Sequence, residues 1–467
     1  MELYLIGHDY KYAAEQMLLM LFPAERPVYP SGSPSGERAE LELRGREAVC
    51  RLYRGGGLSE GHAAVAPWET EIERVRQEQR AVKACFYRAA LASGVPRPAW
   101  GMLTGVKPGK LMAQYLEGGK TAEDFARDFD VSPERAALCE TTTRHTLGAK
   151  RSLREGDIGL YVGIPFCPTR CAYCSFISNA VGKNEKLVEP YLEALLVEIG
   201  RTGESVRAAG QRPVALYLGG GTPTTLSASQ LDRLCGALEA HFDLSALREY
   251  TVEAGRPDTI TEDKLAVLRA HGVTRVSVNP QTMSDEVLEA IGRKHTAQAV
   301  IDALSLVRAA GGFAVNMDLI AGLPKDTAAG FEKTLDTVLA LAPENITVHT
   351  LAIKNGSRLA EHPETLPDAA AVARMVDTSI RRLTAAGYVP YYLYRQKFMS
   401  GGLENVGWRK GAHVNLYNIL MMEELCPIVA MGAGASSKTT DELGGVHRRM
   451  NPKYPKEYIE RIMAQEE

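Results

Sequence analysis

The sequence predicts an α/β protein built on a parallel sheet of six βα repeats, with an α+β region before it and a C-terminal extension after it. Three observations predict this. From Asp157 onward, short β-rich runs alternate with helical patterns, the signature of βα units. Residues 1–150 lack that rhythm. Three cysteines fall directly after the first predicted strand, and in α/β folds ligands bind at the C-terminal ends of strands.

The N-terminal region opens with a strand, Glu2 to Ile6, and an apolar helix from Tyr12 to Phe22. A turn-rich stretch around Pro30 precedes two further strands, Ala39 to Leu43 and Ala48 to Tyr53, and Gly55-Gly-Gly is expected to end that hairpin-like unit. Helices are then expected over Trp68–Ser93, Val106–Glu117, Thr121–Phe129 and Ser132–Thr146. Thr121 and Ser132 stand at N-cap positions, each followed within three residues by an acid. The stretch Trp100-Gly-Met-Leu-Thr-Gly-Val-Lys107-Pro-Gly-Lys110 reads either as a packed loop with solvated lysines or as an anion site at a helix N-terminus.

In the second region the strands read as Gly159–Ile164, Val214–Leu218, Glu249–Glu253, Thr274–Val278, Phe313–Leu319 and Ile346–Leu351. Helices lie between them at Lys186–Ala209, Ser227–Phe242, Glu262–His271, Thr296–Ala310 and Ala328–Leu341. A helix from Asp368 to Ala385 and a strand from Tyr388 to Tyr394 follow, and then a glycine-rich tail to which no regular element is assigned. The expected domains are thus 1–150, 157–387 and 388–467.

Lys and Arg total 54 against 57 Asp and Glu, so no basic surplus points to nucleic acid. No apolar run approaches the roughly 18 residues of a membrane span. Met1-Glu-Leu-Tyr-Leu-Ile-Gly lacks the basic and apolar segments of a signal peptide, so a cytoplasmic protein is expected. Cys50, Cys85, Cys139, Cys235 and Cys426 are scattered and read as small buried hydrophobes.

The remaining three cysteines form Cys167-Pro-Thr-Arg-Cys171-Ala-Tyr-Cys174. Thiolates suit iron–sulfur clusters or zinc. A closed zinc site needs four ligands, and no second cysteine pair exists. Three thiolates can hold three irons of a [4Fe–4S] cube and leave the fourth iron open. Unrelated buried cysteines or a zinc knuckle are the alternatives. At later strand ends stand Gly219-Gly220-Gly221-Thr222-Pro, Glu253, Gln281, Arg293 and Asp318. Glycines admit close backbone approach, Arg can clamp a carboxylate, and Asp suits a ribose diol. Three glycines in succession favour ligand contact over a simple turn, whereas each of the polar residues taken singly is more often a solvated surface group; together, on one rim, they make a site.

The cysteine spacing resembles that of the radical S-adenosylmethionine (SAM) superfamily, whose open, partial (β/α)6 TIM-like barrel the six repeats match. Tyr161-x-x-Ile-Pro-Phe-Cys, Gly-Gly-Gly-Thr-Pro, Gly292-Arg-Lys-His and Asp318-Leu-Ile-Ala-Gly-Leu-Pro narrow the resemblance to the oxygen-independent coproporphyrinogen III oxidase family. That family includes haem chaperones and a haem-degrading branch. The Trp-Gly-x-Leu-Thr-Gly segment is similar to the HemZ-type coproporphyrinogen dehydrogenase branch. The resemblance implies that Cys167, Cys171 and Cys174 ligate a [4Fe–4S] cluster. It also implies that Tyr161, Gly220, Glu253, Arg293, Asp318 and Ala352 contact the cluster-bound SAM. Tyr173, Gly221, Thr222 and Gln281 correspond to contacts with a second SAM, and Ser436 to a further cofactor contact.

Three positions depart from the oxidase pattern: Ser175-Phe176 replaces a fourth cysteine motif, Gly163 a histidine, and Asn279-Pro280 a Gly-Val pair. The chaperones' His-Asn-x-x-Tyr-Trp motif is also missing; the nearest segment reads His413-Val-Asn-Leu-Tyr417-Asn. The implied activity is oxidative decarboxylation of coproporphyrinogen III to protoporphyrinogen IX, with a tetrapyrrole substrate and a low-potential electron donor such as flavodoxin or ferredoxin. A haem-binding chaperone and a haem-modifying or ring-opening enzyme are the alternatives. Lys107, Lys110, Arg409 and Lys410 are the cations expected to meet the substrate's propionates.

Overall fold

The structure is a computed structural model that describes residues 1–30, 36–174, 179–353, 357–361, 365–396, 402–441 and 445–464. The chain divides into two compact units, Met1–Pro108 with Gln114–Cys139, and Gly109–Ala113 with Glu140–Glu467.

In the first unit a four-stranded sheet runs in chain order: Glu2–Ile6, Arg38–Arg44, Glu47–Arg54 and Gly57–Ala64. The first pair is parallel and the other two are antiparallel. Leu3, Leu41, Leu52, Met17, Leu18 and Phe86 are buried in the core between sheet and helices. The triplet at Gly55 does not end the hairpin. Gly55 and Gly56, at φ 58° and 78°, form the turn into a further strand. That strand was hidden because it lacks an apolar alternation; it is held instead by backbone proximity. A Cβ on Gly61 would overlap the carbonyl of Cys85 on the helix Glu71–Ala92. That helix starts at a capping box of Thr70 and Glu73, three residues beyond the expected Trp68. Thr121 caps Ala122–Phe129 in the same way with Asp124.

The second unit holds the six parallel strands Asp157–Ile164, Arg212–Gly220, Glu249–Glu253, Arg275–Ser277, Ala314–Ala321 and Asn345–Thr350, paired in chain order. The helices Val188–Ala208, Ala228–His241, Glu262–Ala270, Ala297–Ala310 and Ala328–Leu341 alternate with them. This is the partial barrel that the βα count predicts.

The glycine-rich tail carries regular structure. Glu404–Arg409 pairs antiparallel with the sixth strand, with Val389–Arg395 outside it. Ile428–Met431 pairs parallel with the first strand and is followed by the hairpin Ser436–Thr440 and Val446–Met450. The tail glycines serve packing: a Cβ on Gly407 would overlap the Tyr392 ring, and one on Gly432 (φ 97°) the carbonyl of Gly163.

The two ends of the barrel differ in chemistry. At the N-terminal end Arg212 pairs with Asp157, and Arg275 donates to Glu249 (2.6 Å), Asn345 (3.1 Å) and the Val414 carbonyl (3.0 Å). Asp157, Glu249 and Arg275 are all buried, so this end is a closed polar network. The helix Leu416–Glu423 rests on it, with the Leu416 and Tyr417 amides donating to Glu249 (2.6 and 3.2 Å). Chemistry is left to the opposite end.

Candidate functional site

The first strand leads into Phe166–Cys167, which pairs in parallel with Asn179–Ala180, and the loop between them carries the cysteines. The Cys174 amide donates to the Cys171 carbonyl (3.2 Å), forming a tight turn. Cys167, Cys171 and Cys174 form no disulfide and are partly exposed. Burial pushes the Cys167 thiol up to about 11, with the other two sulfurs adding to the effect. Among the described residues no three His, Cys, Asp or Glu groups are gathered to hold a single metal ion. A cube binds each thiolate at a separate iron and needs a wider triangle. Among the described residues the Thr222 hydroxyl donates toward the Cys167 sulfur (3.5 Å) and the Arg256 guanidinium toward the Cys171 sulfur (3.8 Å). Donors facing sulfur fit thiolates that carry charge, so this donor set suits the cluster.

The glycine triplet ends the second strand against that loop. A Cβ on Gly221 would overlap the Phe166 carbonyl, and one on Gly220 (φ 100°) would lie 3.2 Å from the Tyr161 hydroxyl. Gly221 and Thr222 amides donate to the Ile164 and Phe166 carbonyls, each at 2.7 Å. The close approach that the triplet permits is therefore to the cysteine loop's own backbone.

Inside the barrel Tyr161, Tyr217 and Tyr417 stack, with ring centroids 4.6 Å apart for Tyr217 and Tyr417. The Tyr217 hydroxyl donates to Glu253 (2.5 Å). Burial, aided by the charge of Asp318, raises the Glu253 carboxyl to about 7, although Tyr217 opposes the shift. Asp318 goes the other way: burial acts against ionisation, but His349, Asn316 and Thr347 together hold it below the usual carboxylate range. Asn316 donates to it at 2.8 Å, and His349 lies 3.8 Å away. Of the two carboxylates on the rim, Asp318 is thus held toward its ionised form and Glu253 is pushed toward retaining its proton.

Asn279-Pro280-Gln281 extends the short fourth strand. The Gln281 amide donates to the Asp318 carbonyl (2.9 Å), and Gln281 accepts from the Ile320 amide (3.0 Å). Gln281 sits at φ 67°, and Asn279 accepts from the Asp318 amide (3.2 Å). Arg293, buried, donates to the carbonyls of Asn279 (2.6 Å) and Gly255 (3.3 Å) and to the Tyr173 hydroxyl (3.3 Å). Its Nε has no hydrogen-bond partner among the described residues. One guanidinium thereby ties the third and fourth strand ends to the cysteine loop.

The structure thus gathers Tyr161, Tyr173, Gly220, Gly221, Thr222, Glu253, Gln281, Arg293 and Asp318 around the cysteine loop at one end of the barrel. Ala352 follows the sixth strand at the same end. Ser436 opens the hairpin after Ile428–Met431, its hydroxyl buried without a hydrogen-bond partner among the described residues.

Two of the expected cations belong elsewhere. Arg409 pairs in register with Asn345, and the Lys410 amide donates to the Glu344 carbonyl. Both stand at the N-terminal end of the strands, away from the cysteines. The antiparallel return of the tail carries Arg395 to the site end instead, opposite Glu404. Lys110 is engaged with Glu424 (2.8 Å).

Sequence reasoning missed Tyr217, Asn279, His349, Arg256 and Tyr417. Strand alternation marks Tyr217 and His349 as same-face neighbours of Gly219 and Thr347; nothing local marks Tyr417. Of the scattered cysteines, Cys50, Cys85, Cys139 and Cys235 are buried as expected, whereas Cys426 is partly exposed.

Comparison with known proteins agrees with this geometry. The radical SAM superfamily profile matches residues 161–338. The chain is 38% identical over 420 residues to the oxygen-independent coproporphyrinogen-III oxidase-like protein HemZ of Bacillus subtilis, covering 88% of this chain and 84% of that protein. It is 28% identical to the haem chaperone HemW of Escherichia coli, over 65% of this chain and 76% of that one. The solved structure of coproporphyrinogen III oxidase (HemN) from Escherichia coli superposes with a TM-score of 0.54 at 27% identity, covering 68% of this chain and 72% of that one. The chain therefore belongs to the radical SAM superfamily, in its family of HemZ- and HemN-like proteins, and its cofactors are a [4Fe–4S] cluster and SAM.

Proposed function

We propose that this protein is an oxygen-independent coproporphyrinogen III dehydrogenase, converting two propionates of its substrate to vinyls with loss of two CO₂. The observation that carries this reading is the 38% identity across 84% of the HemZ relative, an oxidase-like protein by name. When bound, the cluster and SAM would supply a 5′-deoxyadenosyl radical able to take a propionate β-hydrogen, and each vinyl would then form with loss of CO₂ and of one electron to a separate one-electron acceptor.

The chain's own part is to bind and orient. In this reading Cys167, Cys171 and Cys174 hold three irons, and Asp318, kept ionised by His349 and Asn316, accepts the ribose hydroxyls of SAM. Glu253 accepts from the SAM ammonium, and Arg293 and Gln281 shape the same rim. The tyrosine stack keeps water from the radical. Residues 388–467 complete the substrate pocket, and a low-potential flavodoxin or ferredoxin delivers the electron in the cytoplasm.

Asp318→Ala and Glu253→Ala are expected to weaken SAM binding without changing iron content. A charge-assisted hydrogen bond is worth about 1.5–3 kcal/mol, so calorimetric affinity should fall roughly 10- to 150-fold. Unaltered affinity in both variants would remove these residues from the SAM site.

The activity itself is tested by reconstitution with iron and sulfide under anaerobic conditions, followed by incubation with SAM, dithionite and coproporphyrinogen III. Mass spectrometry should show successive losses of two CO₂. The 28% identity to a haem chaperone favours a second reading. Stoichiometric haem binding without SAM consumption would establish that one, while SAM cleavage with intact propionates and opened haem would identify a haem-degrading enzyme.

A further inference from the structure

Arg256 lies in the turn after the third strand, within Glu253-Ala-Gly-Arg256-Pro, and is 2% exposed. Its guanidinium spans the gap to the cysteine loop. One nitrogen donates to the Thr169 carbonyl (3.3 Å) and to the Cys171 sulfur (3.8 Å), and the other donates to the Thr169 hydroxyl (2.9 Å). Thr169 in turn donates to the Gly292 carbonyl (3.2 Å). Among the described residues the only acid within ion-pair distance of Arg256 is Asp258, at 3.5 Å with its side chain 41% exposed.

That charge balance is the informative feature. A buried guanidinium is costly unless a matching charge faces it, and a partly exposed partner screened by water matches it poorly. The Cys171 sulfur, a cluster ligand in the proposed assignment, is the other group that the guanidinium reaches on the cysteine loop. Cluster potentials depend on hydrogen bonds to sulfur and on nearby charge. Reduction adds one negative charge to the cluster, so a fixed cation with an N–H aimed at a ligand sulfur stabilises the reduced form.

We propose that Arg256 is a positioning residue that raises the reduction potential of the cluster through Cys171, easing the electron transfer on which SAM cleavage depends. This rests on the assignment of the three thiols to the cluster. Arg256 does this from outside both the cysteine loop and the group of residues assigned to SAM.

The test is a redox titration of the reconstituted full-length protein, following the electron paramagnetic resonance signal of the reduced cluster. Arg256→Met removes the charge and the donors, and Arg256→Gln keeps a donor. At the potential where the parent is half reduced, Arg256→Met should show a reduced-to-oxidised ratio about tenfold lower, a shift of about 59 mV for one electron. Arg256→Gln should fall in between. Full iron with an unchanged midpoint in either variant overturns the proposal. Loss of iron from both overturns it in favour of simple pinning of Thr169. A parent protein that takes up no iron overturns the cluster assignment itself and is distinguishable from either result.

Discussion

Cys167→Ala, Cys171→Ala and Cys174→Ala should each leave the reconstituted protein without its [4Fe–4S] cluster, while alanine at Cys50, Cys85, Cys139, Cys235 or Cys426 should leave its iron content unchanged. The three thiols share one loop, and in the proposed assignment each serves a separate iron, so none can replace another. Contacts from the rest of the protein hold the described part of the loop. Gly221 and Thr222 fix the backbone at Ile164 and Phe166, and Arg256 and Arg293 grip Thr169 and Tyr173. Losing one sulfur therefore removes a ligand rather than the fold. The check is iron and sulfide analysis with the visible absorption of the cluster, alongside circular dichroism to show that the variants are folded. One equivalent of stable zinc and no iron in the parent protein would overturn the assignment.

Glu249→Ala should cost about 3–5 kcal/mol of stability, the range for breaking a buried ion pair from one side. Glu249 is the first residue of its strand and is 3% exposed. Its carboxylate accepts from Arg275 and from the amides of Leu416 and Tyr417. Alanine would strand a buried guanidinium and two backbone N–H groups together. Glu249→Gln, which keeps an acceptor, should lose less. Urea denaturation compares the midpoints at unchanged slope. A loss below about 1 kcal/mol, the ceiling for exposed pairs, would mean that the network is open to water. Because this network lies at the end of the barrel opposite the cysteines, residual cluster content in the folded fraction should match the parent.

These two predictions draw on different kinds of information. The cysteine spacing, the glycine triplet and the strand-end acids are contiguous or tied to a strand by alternation, so they are legible in the chain. The same holds for the six barrel strands and their helices. Glu249–Glu253 and Ala328–Leu341 appear with the bounds that periodicity predicts. Local pattern succeeds there because a buried parallel strand and an amphipathic helix each declare themselves within one window of residues.

Other features needed the folded chain. The strand Gly57–Ala64 shows no apolar alternation; it is formed by antiparallel pairing along Glu47–Arg54, and Gly61 lets a helix backbone approach it closely. Arg409 and Lys410 read as substrate cations until antiparallel pairing placed Arg409 opposite Asn345, at the wrong end of the barrel, and brought Arg395 to the right one. Tyr417 joins Tyr161 and Tyr217 from more than 190 positions away because Glu249 anchors its helix beneath the sheet. From residue types and spacing alone came the cofactor chemistry and the βα repeat, since ligation and periodicity are local. Which charges face the cluster, which carboxylate stays ionised and which end of the barrel receives the tail followed only from tertiary structure. Each is settled by burial and by partners distant in the chain.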